Sequence, residues 1–451
     1  MTKKVILRRL FHQYMIILHK ASFILLLGVL LLLLSFVDNI VMSSFLDSIV
    51  KRLSSFNLYT FISIVLISTA GQGIIFYSIR KTYSSFDIKL TKYSLIFQIL
   101  VILSICVNIT LFSYLTVQMI YQRAYDSAIF KFILLSSYSF SLINIGFLIL
   151  YFLSWYKKTQ NIVMLLYCLA FSVYVINEIC SILIVNIQLE GRPQRISFVS
   201  NPWDLTSLRI SFFTDFYKLT SIISFSMTWL STCLLMYHYS RKIGRRKFWL
   251  LASLPLIYYI GNIDLIRSSI FNYFIFSSPY LLWIMQILLG GAKQVGGFFF
   301  ALAFIIISKN VDSQKLKYSL AISATGMMLL FSSNQISLIQ IIPYPSFGLT
   351  TISLISISSF LILTGLHSLA YSMAHDRKLL ENARKIVKEK ASKFLYDIGS
   401  SQWQKDIDKT ITTIMNSQSF KDDINVPTSL TKEEIKSYID KVSKELKRTN
   451  I

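Results

Sequence analysis

Ten separate stretches of this 451-residue chain are each apolar for long enough to cross a bilayer, and that repetition limits the fold more than anything else in the sequence. Crossing ~30 Å of hydrocarbon at 1.5 Å per residue takes roughly 20 residues. The stretches run Ala21–Val41, Asn57–Ser78, Leu95–Met119, Phe132–Trp155, Ile162–Asn186, Leu219–Tyr239, Phe248–Leu265, Tyr280–Ser308, Tyr318–Ile339 and Leu349–Met373. Lipid offers the backbone no hydrogen bonds, so each stretch is expected to be helical. The expected fold class is all-α: a polytopic transmembrane helical bundle of about ten spans over residues 1–373, followed by a short cytoplasmic helical tail over 374–451. The hydrophobic fraction of 54% against 15% charged, with a mean hydropathy of +0.57, agrees with lipid as the main solvent.

Charge sets the expected orientation. The formal net charge is +23, yet the Lys and Arg residues flank apolar runs instead of covering one polar surface, so no nucleic-acid partner is expected. On alternate sides of the spans they divide nineteen to nine. The richer side holds Lys3, Lys4, Arg8, Arg9 and Lys20, the loop Arg80–Lys92, Lys157 and Lys158, the cluster Arg241–Lys247, and Lys309, Lys315 and Lys317. Short basic loops are retained in the cytoplasm, which puts both termini there and requires an even number of spans. No small-residue cleavage site follows the basic start and the apolar run Ala21–Val37, so that run reads as an uncleaved first span. The longest loop on the other side, Ile187–Lys218, carries Trp203 and an apolar pattern suited to an interfacial segment. The sequon at Asn108 lies inside the third span, where no glycan is expected.

Functional chemistry is thin. Cys106, Cys168, Cys180 and Cys233 all lie in apolar stretches without CxxC or zinc spacing, so free thiols and no metal are expected. No HExxH motif, paired intramembrane aspartates, haem ligand pair or phosphate-binding glycine loop occurs, and neither a cofactor nor a catalytic set is assigned. What stands out are ionisable groups at membrane depth, which are costly there and point to function. Lys293, within Gly290–Gly297, and Glu178 in the fifth span form, with Gln294, the candidate intramembrane polar site; Asn177 and Gln72 are modest supplements. Two readings stand: a polar site where Lys293 and Glu178 face each other across a cavity, or one buried structural ion pair with the glycines allowing close helix packing. Asp38 and Asp264 fall near outer span ends, and His367 toward the inner end of the tenth.

The last 78 residues hold 16 basic and 12 acidic residues. Leu379, Leu380, Ile386, Val387, Phe394, Leu395 and Ile398 recur at helical spacing, so the tenth span is expected to continue as an amphipathic helix broken near Gly399. Ile407, Ile411 and Ile414 repeat the pattern, and Thr431 with Glu434 forms a capping box opening a last helix. Such stripes pack on the bundle, on a second copy of the chain, or on a separate protein. His375-Asp376 lacks the following proline and the downstream nucleotide-binding module of a histidine kinase.

The segment Ile341–Leu349, the following span into Ser372–Asp376, and the stretch Ser392–Asp408 resemble uncharacterised multi-pass membrane proteins of ammonia-oxidising archaea. The resemblance implies a prokaryotic cell membrane and a shared span-plus-tail design; it brings no activity or site residues. The expectation is therefore a non-enzymatic membrane protein of sensor or scaffold type, its bundle coupled to the tail. The rival is a transporter or channel working around Lys293 and Glu178.

Overall fold

The chain is described here from a computed structural model covering residues 21–39, 54–85, 92–190, 195–197, 208–237, 244–261, 292–309, 311, 313–334, 344–375 and 393–419. Eleven helices lie within these residues: α1 (Ala21–Asn39), α2 (Ser54–Ser85), α3 (Lys92–Gln122), α4 (Ser127–Thr159), α5 (Ile162–Glu190), α6 (Leu208–Tyr237), α7 (Arg245–Gly261), α8 (Ala292–Lys309), α9 (Gln314–Ser333), α10 (Leu349–His375) and α11 (Lys393–Ser419). The all-α class holds. Seven, α1 to α6 and α10, are long and apolar enough to cross a membrane. Helices α7, α8 and α9 fall within or across the seventh, eighth and ninth expected spans, with 17, 18 and 20 described residues.

The surface of the bundle explains its solvent. Leu26, Leu66, Phe132, Leu150, Leu250 and Ile257 are all more than half exposed, on helices whose opposite faces are packed. The interior, by contrast, is studded with Ser, Thr and Asn. Apolar outside and small-polar inside is the pattern of helices associating in lipid, where close approach and interhelical hydrogen bonds replace the hydrophobic drive.

Helices α9 and α10 lie at the centre. From Tyr318 to Ser333 every residue of α9 is buried, and in the apolar window of α10 94% of residues are buried, against 28% in that of α3. Helix α10 packs against α9 and α4 most extensively, and also against α3, α2 and α11. Glycine makes the central crossing possible. A Cβ on Gly365 would come within 2.8 Å of the Ser323 backbone nitrogen, and one on Gly326 within 2.7 Å of that of Ile362. Gly297 performs the same service where α8 crosses α9, since a Cβ there would meet the Met328 carbonyl oxygen at 2.5 Å.

Hydrogen bonds then fix the helices around α10. Gln72 of α2 donates to Ser353 at 3.3 Å, Ser104 of α3 pairs with Ser356 at 2.8 Å, and Asn144 of α4 donates to Ser359 at 3.2 Å. On the opposite flank Ser319 of α9 donates to Ser368 at 3.2 Å. The start of α10 is capped from another helix. The Asp38 carboxyl of α1 accepts from the Gly348 backbone N–H at 2.8 Å, the Thr351 N–H at 3.1 Å and the Thr351 hydroxyl at 2.8 Å, and it also accepts from the Thr350 hydroxyl. A carboxyl there satisfies orphan donors of the first turn and faces the positive end of the helix dipole.

One element has no counterpart in the sequence reading. Strand β1 (Ala124–Asp126), between α3 and α4, pairs antiparallel with β2 (Arg195–Ser197), tying that turn to the long loop expected on the outer side. Asp126 also caps α4 by accepting from the Ala128 N–H at 2.9 Å. Buried Tyr125 stacks on Tyr344, 6.2 Å between ring centroids, so this end of the bundle is closed by aromatic packing.

Candidate functional site

Two places in the bundle carry polar chemistry beyond helix packing. The first gathers around Lys293 near the start of α8. Its ammonium donates to the Tyr217 hydroxyl of α6 at 3.2 Å and to the Asn334 backbone carbonyl at the end of α9. Nζ also lies 5.4 Å from the centre of the Tyr217 ring, within cation–π range. Tyr217 donates in turn to Asn334 Oδ1 at 3.0 Å, Asn334 Nδ2 donates to Asn177 Oδ1 at 2.6 Å, and Asn177 Nδ2 donates to the Tyr217 carbonyl and the Thr220 hydroxyl, both at 2.8 Å. Four helices thus meet in one closed hydrogen-bond ring: α5, α6, α8 and the end of α9.

A small cavity adjoins the ring, lined by Tyr174, Ser221, Phe225, Tyr259, Lys293 and Asn334 among others. Its volume for the centre of a water-sized sphere is ≈ 10 Å³, room for about one water. Ser221 and Tyr259 share a hydrogen bond of 2.8 Å on its wall, and the Tyr259 ring stacks on Phe225 at 4.0 Å.

Of the three expected site residues, the structure brings only Lys293 into this ring. Glu178 is buried but faces α4, where its Oε1 accepts from Ser141 at 2.7 Å. No salt bridge within 4.0 Å joins it to Lys293 among the described residues, so the two do not form the expected buried ion pair. The reason is helical geometry: adjacent residues on α5 point about 100° apart, and Asn177, not Glu178, turns toward α6 and α9. Glu178 Oε2 and both amide atoms of buried Gln294 have no hydrogen-bond partner among the described residues. Tyr217 and Asn334 belong to the ring yet were not singled out in the sequence. Asn334, directly after an apolar stretch ending in Ser332 and Ser333, was the one available signal.

The second place is where the tail meets the bundle. Helix α11 lies across the ends of α10 and α4, with Phe394, Leu395 and Ile398 buried. Among the three destinations open for the tail's apolar stripe, residues 393–402 take the bundle itself. Gly399 does not break this helix. It permits the contact, because a Cβ there would meet Met373 Cβ at 2.7 Å. Asn161 caps α5 by accepting from the Val163 N–H at 2.9 Å and donates to Asp397 at 2.8 Å; Ser401 donates to the Trp155 carbonyl at 3.2 Å. Lys405 stands 5.1 Å over the Tyr151 ring, which in turn packs on His367. The Lys158–Asp408 pair at 3.7 Å is partly open to solvent and contributes at most ~1 kcal/mol. The expected continuation of α10 over residues 376–392 and the last helix from Thr431 lie outside the described residues.

Burial pushes the Asp397 carboxyl above its ordinary value of 3.8, opposed by the bond from Asn161 and the charge of Lys393. A raised value in the docked state means that this group's contribution is complete below the free carboxyl range and is lost as pH rises through the raised value. Asp397→Ala is expected to weaken docking by about 1–3 kcal/mol, the cost of leaving Asn161 unpaired, while Asp397→Asn keeps the contact and removes the pH dependence. Hydrogen exchange of the α11 amides across pH checks both.

No protein-family model matches the chain, and no curated protein or solved structure is significantly similar to it.

Proposed function

We propose that the chain is a non-enzymatic integral protein of the cell membrane, of sensor or scaffold type, with ten spans and both termini in the cytoplasm. In this reading the bundle is coupled to its cytoplasmic tail. The observation that carries it is the seat of α11 on the ends of α10 and α4. Helix α10 touches or hydrogen-bonds to α1, α2, α3, α4 and α9, so a rearrangement of the bundle reaches the tail through packed, two-sided contacts instead of a flexible link. The alternation of helix ends supports the topology: Trp155, Lys158, Asn161 and Met373, the residues that meet the tail, all lie on the side with the greater Lys and Arg count.

The test is a chain ending at Asp376, compared with the full chain in lipid nanodiscs and in native membranes. The reading expects a folded, monodisperse bundle that no longer associates with its protein partner. Unchanged association in the shortened chain contradicts it. A transport function is the second reading, favoured by one observation: Lys293 has no carboxylate within 4.0 Å among the described residues. It expects Lys293→Ala to abolish flux in proteoliposomes while the protein still inserts and folds, and full flux in that variant removes the assignment.

A further inference from the structure

We infer that the cavity beside Lys293 is a binding site for a small monovalent anion of about the size of chloride. The inference goes beyond the sensor reading and does not depend on the tail. Donors and acceptors around the cavity are out of balance. Lys293 has three N–H donors, of which Tyr217 Oη and the Asn334 carbonyl take two; the third has no partner among the described residues. In the Ser221–Tyr259 pair one hydroxyl donates to the other, which leaves one hydroxyl proton for a further acceptor. Asn334 adds no free donor, since its Nδ2 donates to Asn177 and its side chain also bonds the Tyr174 hydroxyl.

The other polar groups on the wall spend their own protons elsewhere and add no further donors. Tyr174 donates to the Leu330 carbonyl at 3.3 Å, Ser224 donates to the Ala170 carbonyl at 3.2 Å, and Asn177 spends its amide protons on Tyr217 and Thr220. The site therefore offers the Lys293 amine and a surplus hydroxyl proton, with no carboxylate in contact among the described residues. Holding that amine as an ammonium in a buried place is costly unless an opposite charge joins it, so an anion is the partner that completes the site. Two further features select the class. The space among the described residues admits roughly one water-sized body, which suits the smallest monovalent anions. The rings of Phe225 and Phe331 line the same space, an apolar wall that disfavours multiply charged ions.

The experiment uses the purified full chain in nanodiscs, with sodium chloride titrated against sodium gluconate at constant ionic strength, gluconate being too large to enter. Thermal unfolding and chloride-35 NMR line width are both read. Chloride is expected to raise the unfolding midpoint saturably and to broaden the NMR line, and Lys293→Met is expected to lose both effects. Absence of a saturable chloride effect in the folded wild-type chain overturns the inference, as does an equal effect in Lys293→Met. Should Lys293→Met fail to fold, the Ser221→Ala/Tyr259→Phe double variant decides. Loss of one or two hydrogen bonds to the ion is expected to raise half-saturating chloride roughly 2- to 10-fold, and an unchanged value overturns the assignment.

Discussion

Gly365→Leu is expected to abolish recovery of folded protein, and Gly365→Ala to lower its stability by about 1–3 kcal/mol, the range for overpacking a well-filled interior. Any Cβ at this position points into α9, within 2.8 Å of the Ser323 nitrogen and 2.9 Å of the Ser319 carbonyl. Both are backbone atoms, so no side-chain rotation relieves the clash and the two central helices must separate. Separation also stretches the Ser319–Ser368 bond at the same crossing. Gly146 supplies the control, since a Cβ there meets nothing within 4 Å. Gly146→Ala should be neutral or slightly stabilising, because alanine gives up less conformational freedom in a helix. Comparing unfolding of the three variants in mixed micelles checks the set; equal behaviour of the Gly365 and Gly146 variants contradicts the central placement of α10.

Asp38→Ala is the second substitution expected to act strongly. It strips the first turn of α10 of an acceptor for the Gly348 and Thr351 N–H groups and for two threonine hydroxyls, all buried. The hydroxyls can turn to other acceptors, but the N–H groups cannot. At about 1–3 kcal/mol for each unsatisfied buried donor, the two backbone groups alone give a loss of order 2–6 kcal/mol. Asp38→Asn keeps an acceptor oxygen, so it should lose less than the alanine variant. The same unfolding series, read by Trp fluorescence, checks the order wild type, Asn, Ala.

These two residues also show what the sequence can and cannot disclose. Long apolar runs dictate helices in lipid, and the seven described helices that are long and apolar enough to cross a membrane fall where the runs predict them. Which helix sits at the centre is harder to read, because a buried helix and a lipid-facing one have similar hydropathy. The signal was compositional: Thr350, Thr351, Ser353, Ser356, Ser358 and Ser359 spread around α10 on every side, which suits a helix with protein all round and not one with a lipid face. Asp38 looked like an ordinary charge near a span end, since a cap supplied by another helix over 300 positions away leaves no local pattern. The β1–β2 pair has three residues in each strand and joins segments some 70 positions apart, too short for periodicity to register.

The polar site was legible in part for a related reason. Membrane depth singled out Lys293 and Glu178, but depth does not say which way a side chain points around its helix. Asn177 and Tyr217 entered the ring through their faces, and Glu178 left it through its own. Gly399 was misread because glycine in a polar stretch signals a helix end as readily as a close contact; only Met373 beneath it distinguishes the two.

One arrangement underlies the proposed coupling: α10 enclosed by protein, with α11 seated on its end. An experimental structure of the full chain in lipid nanodiscs tests it most directly. The expected result is no ordered lipid along Leu349–Ala374, and α11 against Trp155, Asn161 and Met373. Lipid acyl chains lining α10, or α11 held away from those three residues, would contradict it.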